Sequence, residues 1–419
     1  MIADAHARAD ETCSGDDFVL VHDYLLVMRG AERTFEAISS CYPDATIATL
    51  LYDPVRTEGR FAHRRVRTSF LQPVAAEQRR FRRFLPLLPL AAERLAVKDA
   101  RVVISSSSAF AHGVRPRSDA VHVSYCHSPF RYVWHERERT ERSLPALARP
   151  AARAVLGAVR RWDVRAAERV TTFVANSELT RQRVGDFYDR DAVVVHPPVD
   201  VERFAEPDPR DYFLVVGEVT THKNTEIALA AADRAGVRIK VVGEGPDLAR
   251  LRGRFRSAEF LGRVGDRELI DVYAGCRALL VPAIEEFGIT MVEANAAGRP
   301  VVAAAAGGAL EIVDDGATGI LVKPRDVDAL ADAMRNTDWE GFDVASLRAN
   351  AERFSARRFR EQFVGAVRCS IGRALPAHES STDRRDAWPS TQPSAVQQTA
   401  VAAASSNHGG SLARSGYRS

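Results

Sequence analysis

The sequence lacks the features that mark several specialised classes of protein. It has no apolar run close to the roughly 20 residues that a membrane-spanning helix needs, and its polar, acidic N-terminus lacks the apolar core of a signal peptide. Its five cysteines are scattered without the spacing of a metal site, which favours a reducing compartment. The net charge of +3 provides no overall attraction for nucleic acid. We therefore expect a cytoplasmic protein that neither spans a membrane nor binds nucleic acid.

Lysine is also scarce, because almost every basic residue is arginine. The only lysines are Lys98, Lys223, Lys240 and Lys323. A lysine in a loop that could carry function therefore stands out. Lys223 is such a residue, because it follows the apolar segment "YFLVVGE".

The sequence does contain a regular alternation of strand and helix patterns. "FVLVHDYL" (18–25) predicts a buried strand, and "AERTFEAISSCYP" (31–43) predicts the helix after it. A proline-rich stretch, 193–211, interrupts the alternation, which then restarts with "YFLVVGEV". Strands that alternate with helices predict doubly wound parallel sheets. We expect an α/β fold with Rossmann-like domains at 17–200 and 201–375, a flexible N-terminus (1–16) and a disordered tail (376–419).

Glycine-containing turns follow several of the predicted strands. Ligands of parallel α/β proteins bind beyond the carboxyl ends of the strands. Gly288 is expected to open a helix whose first amides, on Ile289 and Thr290, are free to bind phosphate. Gly307–Gly308 offers a second such turn, and Lys223 is placed to neutralise a phosphate. Each turn alone is ordinary loop chemistry, but together they indicate a diphosphate site.

Two glutamates, Glu285 and Glu293, bracket the turn at Gly288. Glu293 falls on the apolar face of the predicted helix, where a carboxylate is costly unless another group bonds to it. Sugar hydroxyl groups donate hydrogen bonds to carboxylates. A site with phosphate donors and hydroxyl acceptors suggests a nucleotide sugar as its ligand.

Residues 285–322, "EEFGITMVEANAAGRPVVAAAAGGALEIVDDGATGILV", closely resemble the Glu-x7-Glu region of retaining glycosyltransferase family four. "GEVTTHKN" (217–224) is similar to that family's donor-phosphate loop. "VHDYLLVMRGAE", "YCHSPFRYVW" and neighbouring segments resemble the branch with mannosyltransferases of O-antigen and surface polysaccharide assembly. The resemblance covers about residues 18–365. It implies a GT-B fold, in which two Rossmann-like domains face a central cleft.

The resemblance also implies roles for particular residues. Glu293 would bond the donor ribose, Glu285 would hold hydroxyl groups of the transferred sugar, and Lys223 would meet the diphosphate. His127 would lie near the anomeric carbon, so that His127, Glu285 and Lys223 are the catalytic candidates. The further donor-binding candidates are Gly30, Gly217, Glu218, Gly262, Arg263, Val264, Gly288, Ile289, Thr290, Gly307 and Gly308. Among them, Gly262, Arg263 and Val264 would line the base pocket through their backbone groups.

One position departs from the family's pattern. The family usually has arginine directly after the glycine of the donor loop, whereas this chain has Glu218. An anion beside the diphosphate would oppose the stabilisation of charge in the reaction. Either another arginine substitutes, for which Arg29 is the candidate, or activity is reduced or lost.

We expect, from the resemblance, a metal-independent transferase that uses GDP-mannose and a glycan or lipid-linked acceptor at the cytoplasmic face of the membrane. An inactive nucleotide-sugar-binding protein and a transferase that uses a UDP-hexose remain alternatives. A dinucleotide-dependent oxidoreductase is disfavoured, because no G-x-G-x-x-G follows the first strand. The Asp-x-Asp pairs at 189–191 and 326–328 could hold a metal in a GT-A enzyme, but a structural role explains them better, and Asp326 is expected to cap a helix.

The segment "EQRRFRRFLPLLPLAAERL" (77–95) allows two interpretations. Its five arginines, two phenylalanines and leucine run could lie on an anionic membrane surface. The same pattern fits a solvated arginine face above leucines that enter the core. Both interpretations stay open at this point.

Overall fold

The computed structural model describes residues 17–75, 81–204, 206–208 and 210–374, apart from the side chains of residues 75 and 81–83. The predicted flexible N-terminus and disordered tail lie outside the described residues. Residues 77–80 of the arginine-rich segment also lie outside them.

The first of two parallel sheets has the order β3-β2-β1-β4-β5-β6-β7 among the described residues. All of its neighbouring strands pair in parallel. Its strands are Phe18–Leu25 (β1), Thr46–Tyr52 (β2), Val66–Thr68 (β3), Val102–Ser107 (β4), Val121–Cys126 (β5), Thr172–Ala175 (β6) and Ala192–Val194 (β7).

The second sheet has the order β10-β9-β8-β11-β12-β13 in the described part of the chain and is also parallel. The two sheets confirm the predicted pair of doubly wound, Rossmann-like domains. The strands of the second sheet are Phe213–Val216 (β8), Ile239–Val242 (β9), Glu259–Gly262 (β10), Leu279–Val281 (β11), Val301–Ala304 (β12) and Gly319–Val322 (β13).

Helices connect most of the successive strands and cover the sheets. Strands that are covered on both faces are buried along their length, and all six residues of β5 are buried. The helices are Gly30–Cys41 (α1), Gln72–Ala75 (α2), Leu88–Glu93 (α3), Arg137–Arg142 (α4), Arg149–Ala167 (α5), Glu178–Tyr188 (α6), Thr225–Ala235 (α7), Leu248–Arg254 (α8), Asp266–Gly275 (α9), Ile289–Ala296 (α10), Ala309–Ile312 (α11), Val327–Asn336 (α12), Val344–Glu352 (α13) and Ala356–Ala374 (α14). Short 3₁₀ turns span Phe81–Leu87, Ala111–Gly113, Ala146–Ala148, Val201–Arg203 and Thr221–Lys223.

The last helix, α14, returns to the first sheet. Phe359, Phe363 and Val367 pack in one core with residues of β1, β2 and β5. The hydroxyl groups of Ser370 on α14 and Thr172 on β6 lie 2.8 Å apart. The chain therefore ends its described part on the domain in which it began, while the exact boundary between residues 200 and 201 stays a prediction.

The described part of the arginine-rich segment contributes leucines to the first core. Leu88 and Leu95 are buried there, whereas Leu87 and Leu90 are 44% and 40% exposed. The buried leucines support the interpretation of this segment as a face of the core. Within the described ranges no helix is long and apolar enough to cross the membrane, and surface contact with a membrane stays a prediction.

The two Asp-x-Asp pairs have structural roles. Asp189 ends α6 with a left-handed backbone, φ 53°. Asp326 caps α12 by accepting a hydrogen bond from the amide of Ala329 at 3.0 Å, as its position in the sequence predicts. In the described ranges, no group of three or more His, Cys, Asp or Glu residues could hold a metal ion. Independence from metals stays a prediction.

The buried carboxylate of Asp23 joins the carboxyl ends of β1 and β4. It accepts backbone hydrogen bonds from four consecutive residues, at 2.6, 3.0, 2.7 and 2.6 Å from Ser108, Ala109, Phe110 and Ala111. A buried charge is tolerated when hydrogen bonds satisfy it. This one carboxylate therefore fixes the path of the chain as it leaves β4.

The serines at the end of β4 each bond to a histidine. The hydroxyl of Ser105 lies 2.8 Å from Nε2 of His122, and the hydroxyl of Ser107 lies 3.1 Å from Nδ1 of His112. His122 is 1% exposed. Its burial, helped by the charge of His112, lowers its pKa to about 3, so His122 is neutral in the folded protein at neutral pH.

We expect Asp23→Asn to lower the free energy of unfolding by about 3 kcal/mol, because an amide group cannot accept all of these backbone hydrogen bonds. The change is measured by urea unfolding that is followed by circular dichroism. Asp53→Asn is the matched control, since Asp53 accepts amides in an exposed turn at 3.0 and 3.1 Å. It should cost less than about 1 kcal/mol. Equal losses in the two variants would contradict the role assigned to Asp23.

The burial of His122 predicts that the protein loses stability in acid. His122 binds a proton in the unfolded chain below a pKa of about 6.5, whereas the folded protein keeps it neutral down to about 3. Because the unfolded state binds more protons in this window, stability rises with pH. The contribution of His122 is fully present above pH ~6.5 and falls by about 1.4 kcal/mol per pH unit below it.

Urea unfolding between pH 5 and pH 7.5 measures this slope. His122→Gln should reduce the slope below pH 6.5 by about 1.4 kcal/mol per unit. The comparison uses slopes, so that any loss of packing in the variant does not affect it. An unchanged slope would mean that His122 is protonated in the folded state.

Candidate active site

Gly288 begins helix α10 with a backbone that only glycine adopts readily. Its φ is 102°, and a Cβ there would lie 2.2 Å from the Cε atom of Met291. The first amides of a helix have no acceptor within the helix. The amides of Ile289 and Thr290 can therefore bind an anion, as the sequence predicts.

Gly307 and Gly308 serve the same site by allowing a close approach of two loops. The amide of Gly308 donates to the carbonyl of Glu285 at 3.0 Å. A Cβ on Gly308 would lie 2.0 Å from the carbonyl oxygen of Phe287, and one on Gly307 would lie 2.4 Å from that of Glu285. These glycines thus shape the loop that carries Glu285, and their binding of a donor stays a prediction.

Lys223 and Glu285 meet in the structure, although 62 residues separate them in the sequence. The ammonium Nζ of Lys223 lies 2.8 and 2.6 Å from the two carboxylate oxygens of Glu285. Both side chains are partly exposed, at 31% and 17%. The pair places a cation beside a hydroxyl acceptor. Glu285, the acceptor, lies three residues before Gly288.

Glu293 points at two residues that the sequence analysis missed. One carboxylate oxygen accepts from Arg203 at 2.7 Å, and the other accepts from the hydroxyl of Tyr273 at 2.8 Å. Burial raises the pKa of Glu293, while Arg203 and Tyr273 act in the opposite direction. Each carboxylate oxygen has a further lone pair, so a ribose hydroxyl can bind beside these partners.

His127 belongs to a chain of hydrogen bonds that also includes His22 and Ser106. The hydroxyl of Ser106 lies 2.8 Å from Nε2 of His127 and 3.1 Å from Nδ1 of His22. Nε2 of His22 lies 4.0 Å from a carboxylate oxygen of Glu32. Burial, followed by the neighbouring His22, lowers the pKa of His127 to about 3. His127 is therefore neutral at physiological pH and offers a ligand hydrogen bonds rather than charge.

Two residues of the first domain reach the donor side. A Cβ on Gly30 would lie 3.2 Å from Cδ1 of Ile289, so the start of α1 lies against the start of α10. Arg29, the residue before it, donates to the carboxylate of Glu218 at 3.2 and 3.4 Å. The sequence had singled out Arg29 as the candidate replacement cation, and the structure places it directly at Glu218. Gly217 has φ 152°, and a Cβ on it would have no other atom within 4 Å.

The loop after β10 holds the three predicted base-pocket residues. The carbonyl of Gly262 accepts a hydrogen bond from the amide of Gly243 at 2.7 Å. Arg263 lies 3.5 Å from Glu58 of the first domain, and Val264 packs against the core of the second domain. Contact between these residues and a base stays a prediction.

Glu286 is a further residue that the sequence analysis did not identify. It lies 3.1 Å from Arg183, 3.7 Å from Arg131 and 3.8 Å from His135, all of the first domain. Burial raises its pKa, but the two arginines outweigh this effect and hold the pKa below its ordinary value. Its position directly after Glu285 was the only signal in the sequence, because its partners lie more than 100 residues away.

Two family models match the chain. Residues 28–203 match the model for Glycosyltransferase Family 4, and residues 198–337 match the model for Glycosyl transferases group 1. Together the two matches span the residues of both domains that form the candidate site.

Curated relatives resemble about half of the chain. The D-inositol 3-phosphate glycosyltransferase of Mycolicibacterium smegmatis is 33% identical over 241 residues, which are 50% of this chain and 55% of the relative. The glycogen synthase of Mycobacterium tuberculosis is 33% identical over 198 residues, which are 43% and 47% of the two chains. The chain thus spans about half the length of the curated relatives it matches.

Solved structures share the fold over most of the chain. The Anabaena protein HepE in complex with UDP and glucose aligns with a TM-score of 0.62 at 19% identity, over 83% of this chain and 98% of that one. Sucrose-phosphate synthase from Thermosynechococcus elongatus aligns with a TM-score of 0.63 at 15% identity, over 85% and 100%. The chain therefore carries a Glycosyltransferase Family 4 domain at residues 28–203 and a Glycosyl transferases group 1 domain at residues 198–337, on the GT-B fold.

Proposed function

We propose that the protein is a retaining glycosyltransferase that moves a hexose from a nucleotide sugar to a glycan or lipid-linked acceptor. The observation that carries the proposal is the pair of Lys223 and Glu285 beside the free amides at the start of α10. A diphosphate needs the ammonium and the amides, whereas a sugar needs the carboxylate. Few other ligands require all three groups within one site.

The resemblance of the N-terminal motifs leads us to propose GDP-mannose as the donor and a reaction that needs no metal. A UDP-hexose is the alternative, because HepE was crystallised with UDP and glucose. The acceptor is a lipid-linked or polysaccharide glycan at the cytoplasmic face of the membrane. The curated relatives suggest inositol phosphate as the alternative acceptor.

The proposed reaction occurs on one face of the sugar. The bond between the anomeric carbon and the β-phosphate oxygen breaks, and its electron pair stays on the diphosphate. Lys223 and the amides of Ile289 and Thr290 stabilise this charge. The acceptor oxygen bonds to the anomeric carbon from the same side, and its proton passes to the leaving phosphate oxygen. Atoms and charge balance without a protein nucleophile.

The remaining residues hold the donor in this reaction. Glu285 accepts hydrogen bonds from hydroxyl groups of the sugar, and Glu293 accepts them from the ribose. Neutral His127 bonds near the anomeric carbon and orients the sugar. In the structure Lys223 and Glu285 bond to each other. The donor must therefore replace this ion pair with its own phosphate and hydroxyl groups.

The second candidate function is a nucleotide-sugar-binding protein without transferase activity. Glu218 favours it, because this carboxylate adds negative charge next to the proposed diphosphate site. The two functions predict the same ligand and differ only in turnover.

We expect one nucleotide sugar among GDP-mannose, UDP-glucose, UDP-galactose and UDP-N-acetylglucosamine to raise the melting temperature, in the presence of EDTA.

Lys223→Ala should lower kcat/KM by roughly 100- to 1,000-fold, because it removes a cation from the leaving diphosphate. Glu293→Gln should weaken donor binding by about 10-fold or more, since the amide keeps one oxygen to accept from Arg203 but replaces the other with an NH2 group that cannot accept from a ribose hydroxyl. Thermal shift, calorimetry and donor turnover measure these effects.

Glu352→Gln is the matched control, because Glu352 lies on α13 and pairs with Arg357 at 3.3 Å. It should leave donor binding unchanged. Stabilisation by a donor without hydrolysis or transfer would favour the inactive binding protein. The absence of a response to every donor would remove the assignment of the site around Glu285 and Glu293.

A further inference from the structure

Arg29 and Glu218 form an ion pair between the two domains. The guanidinium atoms Nη1 and Nη2 lie 3.2 and 3.4 Å from the two carboxylate oxygens. The side chains are 55% and 38% exposed. Exposed pairs of this kind contribute little to the stability of a fold. The position of this pair is therefore more informative about function than its contribution to stability.

The pair lies between the two elements that would hold a diphosphate. Glu218 follows Gly217 at the end of β8, in the same loop as Lys223. Arg29 precedes Gly30, which lies against Ile289 at the first turn of α10. A diphosphate that contacts both Lys223 and the amides of α10 therefore lies close to Arg29 and Glu218.

The effect of the Glu218 carboxylate on a nearby diphosphate depends on whether the carboxylate is paired with Arg29. An unpaired carboxylate repels a diphosphate, and it does so most strongly in a site from which water is excluded. Paired with Arg29, the carboxylate is neutralised. The planar guanidinium also has more N–H donors than the two that Glu218 engages, so it can bind a phosphate oxygen at the same time.

We propose, on the basis of the nucleotide-sugar function above, that Arg29 supplies the cation opposite the donor diphosphate and that Glu218 holds its guanidinium in place. The positive charge thus comes from the first domain instead of from the donor loop of the second. The donor loop accommodates a diphosphate only when the first domain brings Arg29 to it. Donor binding and the approach of the two domains are consequently coupled.

Exchange of the two charges tests this arrangement. The variants are Arg29→Ala, Glu218→Arg and the double variant Arg29→Ala/Glu218→Arg. Calorimetry measures the Kd of the nucleoside diphosphate and of the monophosphate with the same base (GDP and GMP, and UDP and UMP), and transfer assays measure kcat/KM. Arg29→Ala should weaken the diphosphate by roughly 10- to 100-fold and the monophosphate far less.

The double variant should recover most of the lost affinity and kcat/KM, because arginine at position 218 returns a cation to the loop and removes the carboxylate. The matched control is Glu58→Gln, which breaks another exposed ion pair between the domains, that of Glu58 with Arg263 at 3.5 Å. It should leave the ratio of the two Kd values unchanged. Melting temperatures verify that each variant is folded.

Two results would overturn the proposal. One is an unchanged ratio of diphosphate to monophosphate affinity in Arg29→Ala, and the other is a double variant that is no better than Arg29→Ala. If the unmodified protein transfers a sugar while either result is found, only the role of Arg29 falls. If the unmodified protein binds neither a nucleoside diphosphate nor a nucleotide sugar, the proposed function falls as well.

Discussion

The buried carboxylate of Asp23 is the contact on which the first domain's share of the site depends. Its hydrogen bonds to four consecutive amides hold the end of β4 beside the end of β1. His22 precedes Asp23 on β1, and Ser106 lies at the end of β4. The hydroxyl of Ser106 bonds to both His22 and His127. The orientation of His127 is therefore set by a junction of two strands that are not adjacent in the sequence.

The second domain's share of the site consists of carboxylates that each face a cation. Glu285 faces Lys223, Glu293 faces Arg203, and Glu218 faces Arg29. In this arrangement each charge of the three pairs has a counter-charge. A ligand with both phosphate and hydroxyl groups can take over or share these contacts without leaving a charge unpaired. A ligand that carries only one kind of group would have to break a pair without replacing it.

Several contacts between the domains join charged groups. Glu286 lies near Arg183, Arg131 and His135. Arg29 forms a separate ion pair with Glu218. Charged contacts of this type permit domains to separate more readily than a large apolar interface does. Gly30 is small enough to lie against Ile289 in the same region. The arrangement is suited to a site that opens for its substrate and closes around it.

The sequence by itself determined the sheets and the turns. The first strand occupies the predicted residues 18–25, because a strand that is buried on both faces is a local apolar run. Gly288 and Asp326 were identified as helix starts, since a left-handed backbone and a capping carboxylate both depend on residues within one turn. Lys223, Glu285 and Glu293 were likewise identified from local patterns and a family resemblance.

Only the tertiary structure decided which charges meet. Arg203 lies 90 residues from Glu293, and Arg29 lies 189 residues from Glu218. Ser106, His22 and the partners of Glu286 were missed for the same reason. Ion pairs and buried hydrogen bonds depend on distance in space and on exclusion of water, and no pattern along the chain encodes either. The sequence thus determined which groups were available for a site, and the packing of two domains decided how they are combined.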